Sequence, residues 1–221
     1  MRSYIYLHGF ASSPSSTKAQ FLNHQFQQHG LCLTIPNLNQ PDFYSLTLSR
    51  QLQQVATILP TDTPVTLIGS SFGGLTAAWL GERHPQIDRL VLLAPAFQFL
   101  NHWLPKLGAA QVEQWQKNNA LLTYHYGEQR QMPISYQLVT DIAQYDESGL
   151  QRSVPTLILH GQQDEVIPIQ SSRSYAALRP WVSLVELDSD HSLSNAQAEI
   201  WQAICHFCHL DDQRDRKITV S

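Results

Sequence analysis

The sequence predicts an α/β protein: a mostly parallel sheet with helices on both faces. Three observations predict it. Short apolar runs recur along the chain, and each leads through a turn into a segment with helical spacing of apolar residues. The runs are continuous rather than alternating, which suits strands covered on both sides. Gly and Pro stand between the runs and the helical segments and end each in turn.

Residues 3–7 form the first apolar run, closing at His8-Gly9. Residues 11–16 are Ser-rich with Pro14, hence loop. Segment 17–29 carries Ala19, Phe21, Leu22 and Phe26 at helical spacing, and Gly30 is a stop signal. Residues 31–35 read as a strand cut by Pro36. Segment 45–59 repeats the helical pattern and 60–64 breaks it. Then come strand 65–68, a tight turn at 69–74, helix 75–83 closed before Pro85, and strand 89–94 ended by Pro95. Segment 96–153 does not continue the alternation. It is rich in Trp and Tyr and reads as a mostly helical cap insertion, too long for a plain loop. Strand 156–160, helix 170–178, strand 182–187 and helix 195–208 complete the pattern. Residues 210–221 are polar and charged, and read as a flexible tail.

With 221 residues, the chain is expected to be a single domain able to bury a core without staples. Charged residues make up 14% and the net charge is −4, with no basic stripe, so nucleic acid is not an expected partner. Three cysteines exclude a disulfide scaffold and suit a reducing compartment. No run approaches the ~20 apolar residues of a membrane helix, and the N-terminus is a poor signal peptide. A cytoplasmic location is the expectation.

In open parallel sheets, ligands sit beyond the carboxyl ends of the strands. The loop after 65–68 reads Gly69-Ser70-Ser71-Phe72-Gly73, a G-x-S-x-G pattern between a strand and a helix. Such a turn holds a nucleophile in a strained backbone, and the residues two before and two after it must lack side chains. That spacing selects Ser71 and not Ser70. A serine needs a base, and the base an orienting carboxylate, here in the chain order Ser, acid, His. Asp164 follows strand 156–160, with Glu165, Asp141 and Asp146 as weaker rivals. His191 follows strand 182–187, whereas His206 and His209 fall on the last helix. The oxyanion donors are assigned to the backbone N–H groups of Phe72 and Phe10, with Gly9 allowing the turn and His8 read as structural.

Cys205-His206-Phe207-Cys208-His209 fits C-x-x-C-H, the haem-attachment spacing, and also half a zinc or thiol redox site. Ile200, Ile204, Phe207 and Cys208 lie near helical spacing, however, so Cys208 reads as a core residue. No metal and no cofactor is expected.

Together these segments resemble the α/β-hydrolase superfamily. The nearest resemblance is to the small bacterial YqiA/YcfP-like esterases. It rests on Tyr6-Leu7-His8-Gly9-Phe10-Ala11-Ser12-Ser13-Pro14 with Lys18-Ala19, on the Ser71 segment, on Asp164-Glu165-Val166 and on Asp190-His191. It implies a serine triad and esterase or thioesterase activity without a cofactor. Segment 96–153 looks longer than the compact members carry. Its aromatics, with Phe10 and Phe72, suit either an apolar acyl or aryl pocket or the core of a cap. The expected activity is cleavage of a small-molecule ester or thioester through an acyl-enzyme on Ser71. Two alternatives stay open: cleavage of a carbon–carbon bond by the same triad, and a non-catalytic binding protein on the same scaffold. The oligomeric state is not legible.

Overall fold

The computed structural model describes residues 2–210. The chain runs β1 (Ser3–Leu7), α1 (Thr17–Gln28), β2 (Leu33–Thr34), α2 (Leu48–Ala56), β3 (Val65–Ser70), α3 (Phe72–Arg83) and β4 (Ile87–Leu93). It continues through α4 (Phe99–Leu107), α5 (Ala109–Asn118), β5 (Leu121–His125), β6 (Arg130–Ile134) and α6 (Gln137–Ile142). It ends with β7 (Thr156–Gly161), α7 (Gln170–Ala177), β8 (Val182–Leu187) and α8 (Gln197–Cys208). Six strands form one sheet in the order β2-β1-β3-β4-β7-β8, and every neighbouring pair is parallel.

The period of two along the strands sorts the core onto the two faces of this sheet. Tyr4 and Tyr6 of β1 join Ala19, Leu22 and Phe26 of α1 and Ile200, Ile204 and Cys208 of α8 on one side. Ile5 and Leu7 join Leu48, Leu52 and Val55 of α2 and Leu75, Ala77 and Leu80 of α3 on the other. The inner strands are buried throughout, β3 and β7 at every residue, which is why their sequences read as continuous apolar runs.

Several boundaries differ from the sequence reading. Helix α2 begins at Leu48 rather than 45, because Thr47 caps it by accepting the Arg50 N–H. Strand β2 has only two residues, since Pro36 withdraws a ladder donor just beyond it. Helix α3 starts at Phe72, three residues early; Gly73 and Gly74 have low helix propensity and hid its first turn.

Segment 96–153 holds helices α4, α5 and α6, as its composition suggested, but also the antiparallel hairpin β5–β6. Pro133 concealed that strand, because proline argues against a sheet interior. Here it pairs opposite Leu122 in a ribbon whose strands are both edges. Trp115, Leu121, Ile134, Leu138 and Ile142 are buried in the same cluster as β1, α2 and α3. Trp115 is 1% exposed, and its indole N–H donates to the Ile134 carbonyl at 2.8 Å.

No helix among the described residues is long and apolar enough to cross a membrane. Of the expected tail, residues 211–221 lie outside the described residues, and Leu210 is buried.

Shared packing of this kind has a measurable consequence. Trp115→Ala is expected to cost about 3–5 kcal/mol within a single urea transition monitored by far-UV circular dichroism. Separate transitions for sheet and insertion would show that the two pack independently.

Candidate active site

The loops at the carboxyl ends of β1, β3, β7 and β8 converge on one cleft. Ser71 stands between the last residue of β3 and the first of α3, with φ +52° and ψ −118°. A non-glycine residue at positive φ stores backbone strain, about 1–3 kcal/mol, and persists only where its surroundings hold it. The Ser71 N–H donates to the Leu93 carbonyl, and its carbonyl accepts from Gly74, Leu75 and Ala96. A Cβ at Gly69 would overlap the Gly73 carbonyl, and one at Gly73 would overlap the carbonyls of Leu7 and His8. The two glycines thus let the turn close on itself and press against the end of β1.

His191 lies in the loop after β8. Its Nε2 is 3.0 Å from Ser71 Oγ, and its Nδ1 is 2.7 Å from Asp164 Oδ2. Nδ1–H donates to the carboxylate in this arrangement, which leaves Nε2 to accept from the serine hydroxyl. Asp164, in the loop after β7, is 8% exposed. Its Oδ1 accepts the backbone N–H groups of Val166 and Ile167, both at 2.8 Å. Its Oδ2 also faces Nε2 of His160, fully buried at the end of β7, at 3.0 Å. Burial pushes the Asp164 carboxyl up, but hydrogen bonds from His160, His191 and Ile167 outweigh it and hold the group well below the usual carboxylate range.

Two of the rival acids are occupied elsewhere and the third faces solvent. Asp141 accepts the Ser49 N–H at 2.9 Å, Asp146 caps the 3₁₀ turn at Ser148, and Glu165 is exposed. His206 and His209 lie on and just past α8, on its exposed side.

The loop after β1 forms the facing wall. A Cβ at Gly9 would stand 3.3 Å from Ser71 Cβ. The loop is pinned by Asn39 Nδ2 donating to Ser12 O at 2.7 Å and by Tyr126 N donating to Ala11 O at 2.8 Å. His8, fully buried, accepts the Leu38 N–H at 3.0 Å and donates to its neighbour's carbonyl. Burial lowers its pKa to about 4, so it stays neutral, as a structural histidine should. Among the described residues, neither the Phe10 nor the Phe72 backbone N–H donates to a protein acceptor. The phenyl rings of Phe10 and Phe72 pack edge to face at 6.3 Å, and both meet Phe99 of α4. The cleft, about 410 Å³, is lined by Gly9, Phe10, Ser71 and His191, with Tyr126 from the β5–β6 turn.

A comparison with known families then places the chain. Residues 3–208 match the family described as Uncharacterised protein family (UPF0227). The chain belongs to this family. No curated protein sequence matches it. Among solved structures, it is similar to Est1E from Butyrivibrio proteoclasticus with ferulic acid bound: TM-score 0.72 and 18% identity, over 94% of this chain and 88% of that one. It is also similar to mouse alpha/beta hydrolase domain-containing protein 10, with TM-score 0.73 and 20% identity over 97% and 90% of the two chains. A pyrethroid hydrolase from Sphingobium faniae JZ-2 superposes with TM-score 0.65 and 17% identity over 94% and 97%. The fold of this UPF0227 member is therefore the α/β-hydrolase fold.

Two site residues escaped the sequence reading. His160 precedes Asp164 by four positions at a strand end, and nothing in a strand pattern marks a side chain that turns back onto the loop. Lys18 donates from Nζ to Ser70 Oγ at 3.0 Å. Its signal was present: Lys18, Leu22 and Phe26 recur every four residues, so the charge sits on the buried side of α1. The Cys205–His209 segment has no part in the cleft. Cys208 is fully buried against the sheet, and burial raises its thiol to about 12. Among the described residues no cluster of His, Cys, Asp or Glu could hold a metal ion.

The depressed Asp164 carboxyl sets a pH dependence. Its ionisation stabilises the folded chain above the unfolded-state value of about 3.9, and that contribution disappears as pH falls toward the folded value. The gap in urea midpoint between the wild type and Asp164→Asn should be widest above about pH 5 and shrink in more acidic buffer. A gap that does not change with pH would show that the ionised form adds no stability.

Proposed function

We propose that this chain is a serine hydrolase that cleaves carboxylic esters or thioesters through an acyl-enzyme on Ser71. The observation that carries the reading is the unbroken hydrogen-bond line from Ser71 Oγ through both nitrogens of His191 to Asp164 Oδ2, at 3.0 and 2.7 Å. A hydroxyl is a poor nucleophile until a base within this range accepts its proton.

Ser71 Oγ attacks the substrate carbonyl carbon while His191 Nε2 takes the serine proton. The imidazolium is held by the Asp164 carboxylate, which His160 and the Val166 and Ile167 amides keep ionised. The negative charge on the former carbonyl oxygen is met by the Phe10 and Phe72 N–H groups and by the positive end of α3. Collapse of the tetrahedral adduct breaks the bond to the leaving oxygen or sulfur, which receives the proton from His191. Water then attacks the acylated Ser71, gives a proton to His191, and releases the acid and the free hydroxyl. Phe10 and Tyr126 in the cleft lining favour an acyl or aryl group of modest size beside the nucleophile. The fold likeness to Est1E, whose structure holds ferulic acid, is in keeping with that.

A fluorophosphonate probe should label Ser71, with the adduct located by peptide mass spectrometry. Ser71→Ala should lose the label and reduce turnover of p-nitrophenyl butyrate by about four orders of magnitude with unchanged circular dichroism. Undiminished turnover in that variant would exclude the mechanism.

A further inference from the structure

The cleft over Ser71 carries one feature that ester hydrolysis does not require. Lys18 lines it from the first turn of α1, beside Ser12, Ser16, Thr17, Ser192 and Gln197. None of the residues lining the cleft is an Asp or a Glu. Among the described residues no carboxylate lies within 4.0 Å of the Lys18 ammonium. Among the described residues its one hydrogen-bond partner is the neutral Ser70 hydroxyl.

The acids nearest in effect are Asp164 and Asp190; the first is engaged by other donors through both oxygens, and the second is exposed to solvent, with its Oδ1 already taken. Asp164 is held by two histidines and two amides. Asp190 accepts from the Ser192 hydroxyl at 2.6 Å and from the Ser192 and Leu193 amides. Burial lowers the Lys18 pKa to about 8 against the pull of those two carboxylates, so the group is still cationic at neutral pH. A half-buried cation without a counter-ion costs stability. An ammonium has three donors, and Ser70 uses one. The positive end of α1 adds to the same field.

Resting on the hydrolase reading above, we propose that Lys18 is a specificity residue that receives a carboxylate of the substrate, so that the preferred esters are acidic ones. The anion must sit a few bonds from the scissile carbonyl, because Lys18 bonds the residue next to Ser71. A single ammonium with hydroxyl and amide neighbours suits a monoanion, whereas phosphate sites more often gather guanidinium groups or several amides.

The test compares isosteric ester pairs by pH-stat. Monomethyl glutarate against its ω-carboxamide places the charge on the acyl side. O-acetylglycolate against O-acetylglycolamide places it on the leaving group. The wild type should favour the carboxylate in one pair by about tenfold or more in kcat/KM, the worth of a charge-assisted hydrogen bond. The favoured pair identifies the side. Lys18→Met should bring that ratio close to one. Equal turnover within both pairs by the wild type overturns the inference while leaving the hydrolase reading intact, and needs no variant. A preference that survives in Lys18→Met, even with both members slowed, also overturns it and makes Lys18 a support of the elbow through Ser70. No turnover of any ester overturns the hydrolase reading, and this inference with it.

Discussion

The close approach of the β3–α3 turn to the end of β1 governs the rest of the site. With no side chain at Gly73, the first turn of α3 rests directly on the carbonyls of Leu7 and His8. That contact brings the Ser71 hydroxyl up to the loop carrying Phe10. It also fixes Ser71 at positive φ, a conformation that its hydrogen bonds to β4 and to Ala96 maintain. The parallel register then does the remainder. Strands β4, β7 and β8 pair in order, so the loops bearing Asp164 and His191 open on the same edge as Ser71.

Two charges at this site are held on different terms, one behind His191 and one in the cleft wall. Asp164 has four donors and is stable as an ion. One of them, His160, is itself fixed by the Ser172 hydroxyl at 2.7 Å and the Ile167 carbonyl at 2.9 Å. A second buried histidine thus determines where the first one's partner sits. Lys18 has a single neutral acceptor among the described residues. A fully satisfied ion serves the architecture, while an under-satisfied one is left with capacity for a ligand.

The insertion shows how a segment can be foreign to the α/β alternation and still belong to the core. Trp103 packs on Phe10, Phe99 and Trp115 with ring centroids 5.1–5.2 Å apart, and Trp115 reaches Tyr136 at 5.3 Å. These rings run continuously from the wall of the cleft into the interior. Of the aromatics whose role composition left open, Phe10 and Tyr126 line the cleft, whereas Phe72, Phe99 and Trp115 are buried in the core. Lys106 of α4 adds a second tie, donating to the carbonyls of Glu165 and Val166 in the loop that carries Asp164.

The buried strands, the elbow around Ser71 and the order of Ser71, Asp164 and His191 were legible in the sequence, because each follows from local rules: apolar runs, glycine spacing, and a loop after each strand. The structure brings those three residues within hydrogen-bonding distance. Where local rules misread the chain, helix propensity or a proline obscured an element, as at Gly73-Gly74 and Pro133. The helical spacing of Lys18 with Leu22 and Phe26 marked its side of α1, but its role, like that of His160, depended on tertiary structure. Their importance comes from which partners the fold brings to them, 4 and 52 positions away along the chain. Sequence spacing encodes direction along an element, but the number of donors around a buried charge is decided only when separate elements pack together.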